Sequence, residues 1–341
     1  MENFADRLIA AIEKKGTPAC VGIDPQFDSL PTEIRECAVE KNAAGAQAAC
    51  IIAFQQEVLD IVAPYVATVK LQSAFYEMLG TAGVQAYADA VNRATLKGLI
   101  VIGDVKRNDI GSTAEAYAAA HLRVFPQDAN YLSLGVDAVT VNPYLGSDGV
   151  EPFIKAAKET GRGVFVLVKT SNKSSGDFQD LKVEGNGRTE TSGRTETSVE
   201  LFVKVAEKVN EWGSSPGLVG KRGYSCVGAV VGATYPEQAA RLRKLMPKAY
   251  FLVPGYGAQG GSGKDVVPCF NSDGRGAIVN SSRGIIYAWT RSPYKEQFGE
   301  ARWRDAIDAA TKAMIADIHA ALPQSGTPAG PGRQTGSPRR K

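Results

Sequence analysis

The feature that most constrains the fold is a regular alternation of short apolar runs with longer segments of helical pattern. Eight runs resemble β-strands, at 18–24, 66–72, 98–104, 136–142, 163–169, 226–232, 249–255 and 276–280. Between them, apolar residues recur at helical spacing in segments such as 74–94, 112–124 and 199–212. Strands that alternate with helices pair in parallel, because a parallel crossover needs the intervening helix. The pattern therefore predicts an α/β fold.

Eight strand–helix units between residues 18 and 280 favour a single closed (β/α)8 TIM barrel. An open, doubly wound sheet is the alternative. Such a sheet normally has fewer strands and a Gly-rich turn after the first one, whereas here the first run ends in Asp24 and Pro25 without a G-x-G-x-x-G motif. We predict one barrel domain over residues 1–322.

The last segment, residues 323–341, is rich in Pro, Gly and Ser and contains no acidic residue. Such a composition cannot bury enough apolar surface to fold, so we predict a disordered tail. Its basic residues are Arg333, Arg339, Arg340 and Lys341, and without these four charges the formal net charge of +3 becomes −1. Because the folded part then has no basic excess, we expect no nucleic-acid partner.

Other features of composition point to an ordinary cytoplasmic protein. No apolar stretch is long enough to cross a bilayer, and residues 1–16 form an amphipathic, partly acidic pattern unlike a signal peptide. The five cysteines lack C-x-x-C spacing, which argues against a disulfide framework or a zinc site. We expect them to be core thiols. With only two histidines, His121 and His319, a Ser-His-Asp site is not expected.

Polar residues gather where the predicted strands end. They are Asp24, Lys70, Gln72, Asp104, Lys106, Asn142, Lys169, Thr170 and Ser171. Any one of them could be a helix cap or a solvated strand end. In a barrel, however, the carboxyl ends of all strands meet at one face, and that face carries the active site. Their joint position predicts a polar site at the mouth of the barrel.

The stretch VIGDVKRNDIGSTAEA, residues 101–116, is the most informative of these strand ends. Residues two apart in a strand face the same way, so Asp104 and Lys106 should both point into the barrel mouth. Ser112 followed by Glu115 fits a capping box for the next helix. One ion pair would explain Asp104 with Lys106, but it would leave the neighbouring charges of Asp109 and Lys70 without a reason.

Two glycine-rich loops predict a phosphate site. PGYGAQGGSG, residues 254–263, follows the seventh run, and NSSRGI, residues 280–285, follows the eighth. Loops after the seventh and eighth strands are where barrels commonly hold phosphate. Glycines let backbone N–H groups approach an anion, and Arg283 adds a planar guanidinium suited to phosphate oxygens. Glycine-rich loops alone are weak evidence, because glycine is also the usual turn residue.

Together these motifs resemble the orotidine 5'-monophosphate decarboxylase family. DVKRNDIGST is similar to that family's D-x-K-x-x-D-I signature, and the two glycine-rich loops resemble its phosphate-binding loops; order and spacing agree from Asp24 to about residue 290. The long connection 25–65 and VKTSN after the fifth run resemble the family's larger bacterial branch. The resemblance implies decarboxylation of orotidine 5'-monophosphate to uridine 5'-monophosphate, the last step of de novo pyrimidine nucleotide synthesis.

The resemblance also implies a role for each site residue. Asp24 and Lys70 would contact the ribose, and Lys70, Asp104, Lys106 and Asp109 would form a charged network with Lys106 as proton donor to C6 of the pyrimidine. Ser171 would bond the pyrimidine, while Gln259 and Arg283 would hold the phosphate. A homodimer is implied, in which Asp109, Ile110 and Thr113 are contributed across the interface. No metal or organic cofactor is expected.

Residues 171–198 form a candidate lid, which would exclude water after the substrate binds. This segment contains GRTETS twice in succession, at 187–192 and 193–198. A tolerated duplication in an exposed loop explains the repeat itself.

Two rival functions stay open. A related barrel group contains Mg²⁺-dependent aldolases and decarboxylases of keto-sugar phosphates, with a similar D-x-K-x-x-D segment, but it has a metal-binding carboxylate near the end of the second strand, where this chain has Lys70. The second rival is a non-catalytic protein that binds a phosphate ligand. It would retain Gln259 and Arg283 but would not need Lys106.

Overall fold

A computed structural model describes residues 1–36, 43–123, 134–184, 198–257 and 261–322 of the chain. Ten strands lie in these ranges: β1 Ala19–Ile23, β2 Thr68–Gln72, β3 Ile100–Arg107, β4 Ala138–Val141, β5 Gly163–Lys169, β6 Lys182–Glu184, β7 Ser198–Glu200, β8 Ser225–Val231, β9 Ala249–Val253 and β10 Ala277–Ser281. Eight of them are the strands predicted from the sequence. The additional pair, β6 and β7, forms a short antiparallel hairpin outside the barrel.

The eight long strands close into a parallel barrel in the order β1, β2, β3, β4, β5, β8, β9 and β10, which pairs back with β1. The predicted TIM barrel is confirmed, and the open-sheet alternative is wrong. Most strands begin and end within two residues of their predicted bounds. The exception is β3, which continues to Arg107 instead of ending at Asp104, so that Lys106 belongs to the strand itself.

Helices cover the outside of the barrel. They are α1 Phe4–Lys15, α2 Thr32–Arg35, α3 Ala44–Val62, α4 Ala74–Glu77, α5 Gly80–Leu96, α6 Gly111–Leu122, α7 Ser147–Thr160, α8 Leu201–Gly213, α9 Pro236–Leu245, α10 Gly263–Val266, α11 Arg283–Ile286, α12 Tyr294–Gln297 and α13 Trp303–Ala321. The segment 74–94, predicted as one helix, is two. Gly80 has a φ of 61°, a left-handed conformation that interrupts the helical path between α4 and α5.

The amino-terminal helix closes the bottom of the barrel. Phe4 of α1 is fully buried and packs edge-to-face on Phe165 of β5, with ring centroids 5.9 Å apart. Gly163 makes this contact possible, because a Cβ there would lie 2.3 Å from the Phe4 ring. Below the strands, Asp137 accepts hydrogen bonds from Arg7 and Arg162, each at 2.8 Å. The closed lower end leaves the opposite face for ligands.

Several smaller expectations concern the rest of the chain. Cys20, Cys50, Cys226 and Cys269 are buried in the core, as predicted, whereas Cys37 lies outside the described residues. Residues 323–341, and all of the GRTETS repeat except Ser198, also lie outside them. Among the described helices, none combines the length and apolarity required to cross a bilayer. The cytoplasmic location stays a prediction.

Candidate active site

A pocket of about 550 Å³ opens at the carboxyl ends of the barrel strands. Its volume is in the range of small-molecule sites. Six of the predicted site residues line it together: Asp24, Lys70, Asp104, Lys106, Ser171 and Arg283. Lys70, Asp104 and Lys106 come from β2 and β3, while the other three come from the ends of β1 and β5 and from the start of α11, elements that are far apart in sequence. Closure of the barrel brings them to one place.

The centre of the pocket is a carboxylate held between two lysines. Asp104 accepts from Lys70 Nζ through Oδ2 at 2.9 Å and from Lys106 Nζ through Oδ1 at 2.6 Å. Lys70 Nζ also lies 3.5 Å from Asp24 Oδ1. These contacts arise because β2 pairs with both β1 and β3, opposing Lys70 to Gly22 and Ile102. Lys70, Asp104 and Lys106 therefore form one charged network.

Two neutral side chains complete the coordination of Asp104. Gln72 Nε2 donates to Oδ2 at 3.0 Å, and Thr140 Oγ donates to Oδ1 at 3.0 Å. The sequence marks Gln72 only as a polar strand end and gives no sign of Thr140, because a Thr in an apolar run reads as an ordinary strand residue. With four donors around it, the carboxylate is firmly oriented.

The environment keeps this network charged. Burial alone would raise the pKa of the Asp104 carboxyl, but the ammonium groups of Lys70 and Lys106 hold it well below its usual range. Burial opposes the charge of Lys70 in the same way, yet the Asp104 and Asp24 carboxylates raise its pKa above the ordinary value. The carboxylate and the buried ammonium are therefore both ionised at neutral pH.

Lys106 differs from Lys70 in exposure and in backbone conformation. Its side chain is 45% exposed, whereas that of Lys70 is 5% exposed. Its φ is 45°, and among the described residues it is the one non-glycine with a positive φ. The Lys106 ammonium thus faces the open pocket while it keeps its contact with Asp104. An accessible cation held by an oriented anion is suited to proton transfer.

The opposite wall is suited to a phosphate. Arg283 is exposed and is the first residue of α11, after the eighth barrel strand. In the loop after β9, Gly255 and Gly257 have φ values of 98° and 72°, which only glycine adopts readily. Tyr256 between them lines the pocket. The predicted phosphate ligand Gln259 lies outside the described residues.

The residues expected across a subunit interface lie away from the pocket of their own chain. Asp109, Ile110 and Thr113 are not among its lining residues, and Ile110 is 52% exposed. The predicted capping box is wrong. Helix α6 begins at Gly111, which makes Ile110 the N-cap and Ser112 part of the first turn, and within the described ranges no side chain caps this end. Asp109 Oδ1 instead accepts from the Ile110 N–H.

Comparison with known proteins identifies the family. The model of the orotidine 5'-phosphate decarboxylase / HUMPS family matches residues 20–292. The chain belongs to this family. It is 45% identical over 314 residues to orotidine 5'-phosphate decarboxylase of Rhodopirellula baltica, an alignment that covers 92% of this chain and 98% of the relative. It is 42% identical to the protein of the same name from Caldicellulosiruptor bescii, over 85% of this chain and 91% of the relative.

A solved structure agrees with this assignment. The OMP decarboxylase of Leishmania donovani superimposes with a TM-score of 0.67 at 29% identity, covering 94% of this chain and 98% of that one. The six predicted residues that line the pocket all lie within residues 20–292, the range matched by the orotidine 5'-phosphate decarboxylase / HUMPS family. The family description names more than one kind of protein. The residues of the pocket therefore have to indicate which reaction this chain catalyses.

One polar strand end serves the loop instead of the pocket. Lys169 of β5 is fully buried, and its Nζ contacts Asp180 at 2.7 Å and the Tyr235 ring at 4.8 Å. Next to it, Gln179 bonds both the backbone N–H and the hydroxyl of Thr170. These contacts bind residues 173–180 to the end of β5. They therefore fix the wall that contains Ser171.

We predict that Lys169→Met loosens this wall. Loss of one partner of a charged hydrogen bond costs about 1–3 kcal/mol, and since Asp180 is 40% exposed we expect the low end, a roughly tenfold faster amide exchange. Hydrogen–deuterium exchange followed by mass spectrometry over residues 171–184 measures it. The control is Lys182→Met, which removes a more exposed ion pair with Glu200 from the same segment. Equal exchange in both variants would contradict the anchoring role.

Proposed function

We propose that the chain decarboxylates orotidine 5'-monophosphate to uridine 5'-monophosphate, the last step of de novo pyrimidine nucleotide synthesis, with Lys106 as the proton donor to C6. Family membership and the names of relatives with 45% and 42% identity support the reaction. The observation that supports the assignment of roles is the Lys70–Asp104–Lys106 network in a pocket whose other wall carries Arg283.

The chemistry explains why the site needs a cation at its centre. Loss of CO2 from C6 of orotate leaves an electron pair in the plane of the ring, where the π system delocalises it poorly. An ammonium close to C6 stabilises this carbanion and then transfers a proton to it. Lys106 can do both, because its side chain is accessible and the Asp104 carboxylate holds its Nζ in place. The new C6–H bond takes the electron pair left by CO2.

Asp104 has a second effect if the substrate carboxylate lies beside it. Two like charges about 4 Å apart repel by roughly 4 kcal/mol at an effective dielectric near 20. Enzymatic rate enhancements can require up to about 23 kcal/mol, so repulsion alone is insufficient. The larger share comes from charges that are already oriented before the reaction and from binding of the remote phosphate. Arg283 therefore contributes to turnover as well as to affinity.

The ribose would lie between these two regions. Asp24 Oδ1 is buried at the pocket and, among the described residues, has no hydrogen-bond partner apart from the long 3.5 Å ion-pair contact with Lys70. A buried carboxylate oxygen that lacks a donor is well suited to accept from a ribose hydroxyl. A second subunit would complete the site. Asp109 and Thr113, which lie away from their own pocket, would reach the partner's pocket in a homodimer.

The rival Mg²⁺-dependent function is less compatible with these residues. The Lys70 ammonium stands between the carboxylates of Asp24 and Asp104, at the place where the rival group has a metal-binding carboxylate. Within the described residues, no group of three or more His, Cys, Asp and Glu side chains could hold a metal. A protein that only bound a phosphate ligand would have no need of the contact between Lys106 and Asp104.

The direct test is turnover with Lys106→Ala. We expect the wild type to convert orotidine 5'-monophosphate to uridine 5'-monophosphate equally well with and without EDTA, and Lys106→Ala to lose at least about a thousandfold in kcat because proton donor and cation are both removed. Loss of orotate absorbance measures it. Lys173→Ala, an exposed lysine of the loop after β5, is the control. An inert wild type or activity abolished by EDTA would contradict the proposal.

Subunit mixing tests the proposed dimer. Lys106→Ala and Asp109→Ala should each be nearly inactive alone. If Asp109 acts in the partner's pocket, a randomly mixed population contains hybrids with one intact site, and activity returns to about a quarter of the wild-type value. The subunits are exchanged by joint refolding, and kcat per chain is measured. A mixture as inactive as its parents would show that Asp109 acts within its own chain.

A further inference from the structure

We infer that Thr140 is a positioning residue that holds both the backbone and the ammonium group of Lys106. This inference deepens the mechanism and rests on the proposed function. Thr140 lies on β4, is 1% exposed and lines the pocket beside Asp104 and Lys106. The Thr140 hydroxyl bonds the backbone N–H of Lys106 directly, and it reaches the Lys106 ammonium through Asp104. Its hydroxyl therefore acts on the reaction through these two residues.

The pairing of β3 with β4 places Thr140 at an irregular point of the barrel. Gly103 pairs with Val139 and Arg107 pairs with Val141. Between these pairs β3 has three residues, 104 to 106, whereas β4 has only Thr140. The extra length forms a bulge, a device that re-aims side chains near active sites. It gathers Asp104 and Lys106 around one threonine.

The backbone of Lys106 is held in an unfavourable conformation within this bulge. A φ of 45° is rare for a side chain with a Cβ, and it persists only where the surroundings fix it. The group that fixes it is identifiable. The Lys106 backbone N–H donates to Thr140 Oγ at 2.9 Å. Without that acceptor the bulge could relax and turn the Lys106 side chain away from C6.

The same hydroxyl also fixes the other end of the lysine. A threonine hydroxyl has one proton and two lone pairs, so it can accept and donate at once. Having accepted from the Lys106 N–H, Thr140 Oγ donates its proton to Asp104 Oδ1 at 3.0 Å. That oxygen in turn accepts from Lys106 Nζ at 2.6 Å. The three residues form a closed ring of hydrogen bonds around the proton donor.

Replacement of this hydroxyl should affect turnover more than binding. Thr140→Val keeps the shape of the side chain but leaves the Lys106 N–H without its acceptor and Asp104 without one donor. A misplacement of about 1 Å at a reacting group can cost on the order of a hundredfold, so we expect kcat to fall about 10–100-fold. KM should change by less than about threefold, because the phosphate wall at Arg283 is untouched.

The experiment compares three variants with the wild type. Thr140→Ser retains the hydroxyl and should keep kcat within about threefold of wild type, whereas Thr140→Val should not. Thr311→Val is the matched control, since Thr311 is also 1% exposed but bonds Ile307 O within α13. Binding of uridine 5'-monophosphate, followed calorimetrically, counts the folded sites in each preparation, and kcat is expressed per folded site.

The outcomes separate this inference from the proposed function. If the wild type does not produce uridine 5'-monophosphate, the function and the inference both fall. If the wild type is active, two results would overturn the role of Thr140 alone: full activity of Thr140→Val per folded site, or an equal loss in Thr140→Ser. A loss confined to Thr140→Val, with rescue by serine and an unaffected Thr311→Val, supports the hydroxyl ring.

Discussion

The Asp104 carboxylate, shared between the Lys70 and Lys106 ammonium groups, is the interaction on which the site depends. A buried lysine such as Lys70 is costly unless an anion pairs with it, and a partly satisfied charge network is worse than an apolar core. Here the pairing is close to complete, because Asp104 accepts from both lysines and from Gln72 and Thr140. The network is therefore held together by contacts within the chain itself.

The barrel makes this assembly possible without long loops. Parallel strands deliver side chains from β1, β2, β3 and β4 to one face, so that charges distant in sequence meet on rigid elements. The phosphate wall, formed after β9 and β10, belongs to the other half of the same ring. In the proposed function, a substrate anchored at Arg283 would thereby be presented to Lys106 across the pocket. Binding energy at a remote group can then be used to order the reacting one.

The sequence predicts the architecture well and the local geometry less well. Eight apolar runs separated by helical patterns predict the barrel, because burial on both faces requires continuous apolar strands. The strand-end charges of Asp24, Lys70 and Asp104 are equally visible. Alternation along β3 places Asp104 and Lys106 on one side, and both do line the pocket. The alternation does not reveal the bulge in β3, since a change of register depends on the neighbouring strand β4.

The errors have similar physical origins. Ser112 with Glu115 satisfies the sequence pattern of a capping box, but the helix begins two residues earlier than that pattern requires, at Gly111 with a φ of 54°. Lys169 is polar at a strand end like the others, yet Asp180 and Tyr235 draw it under the loop. Thr140 lies between Val139 and Val141, so the sequence pattern does not distinguish it from an ordinary strand residue. In each case tertiary contacts decide the outcome, and one sequence does not contain them.

The central claim is that Lys106 lies poised at C6 while the phosphate is held by the opposite wall. A crystal structure with uridine 5'-monophosphate bound tests it most directly. We expect Lys106 Nζ about 3–3.5 Å from C6, the separation of a near-attack arrangement, with Arg283 on the phosphate and the hydrogen bonds of Asp104 unchanged. A nucleotide bound with its phosphate on Arg283 but with C6 beyond the reach of Lys106 would contradict the account.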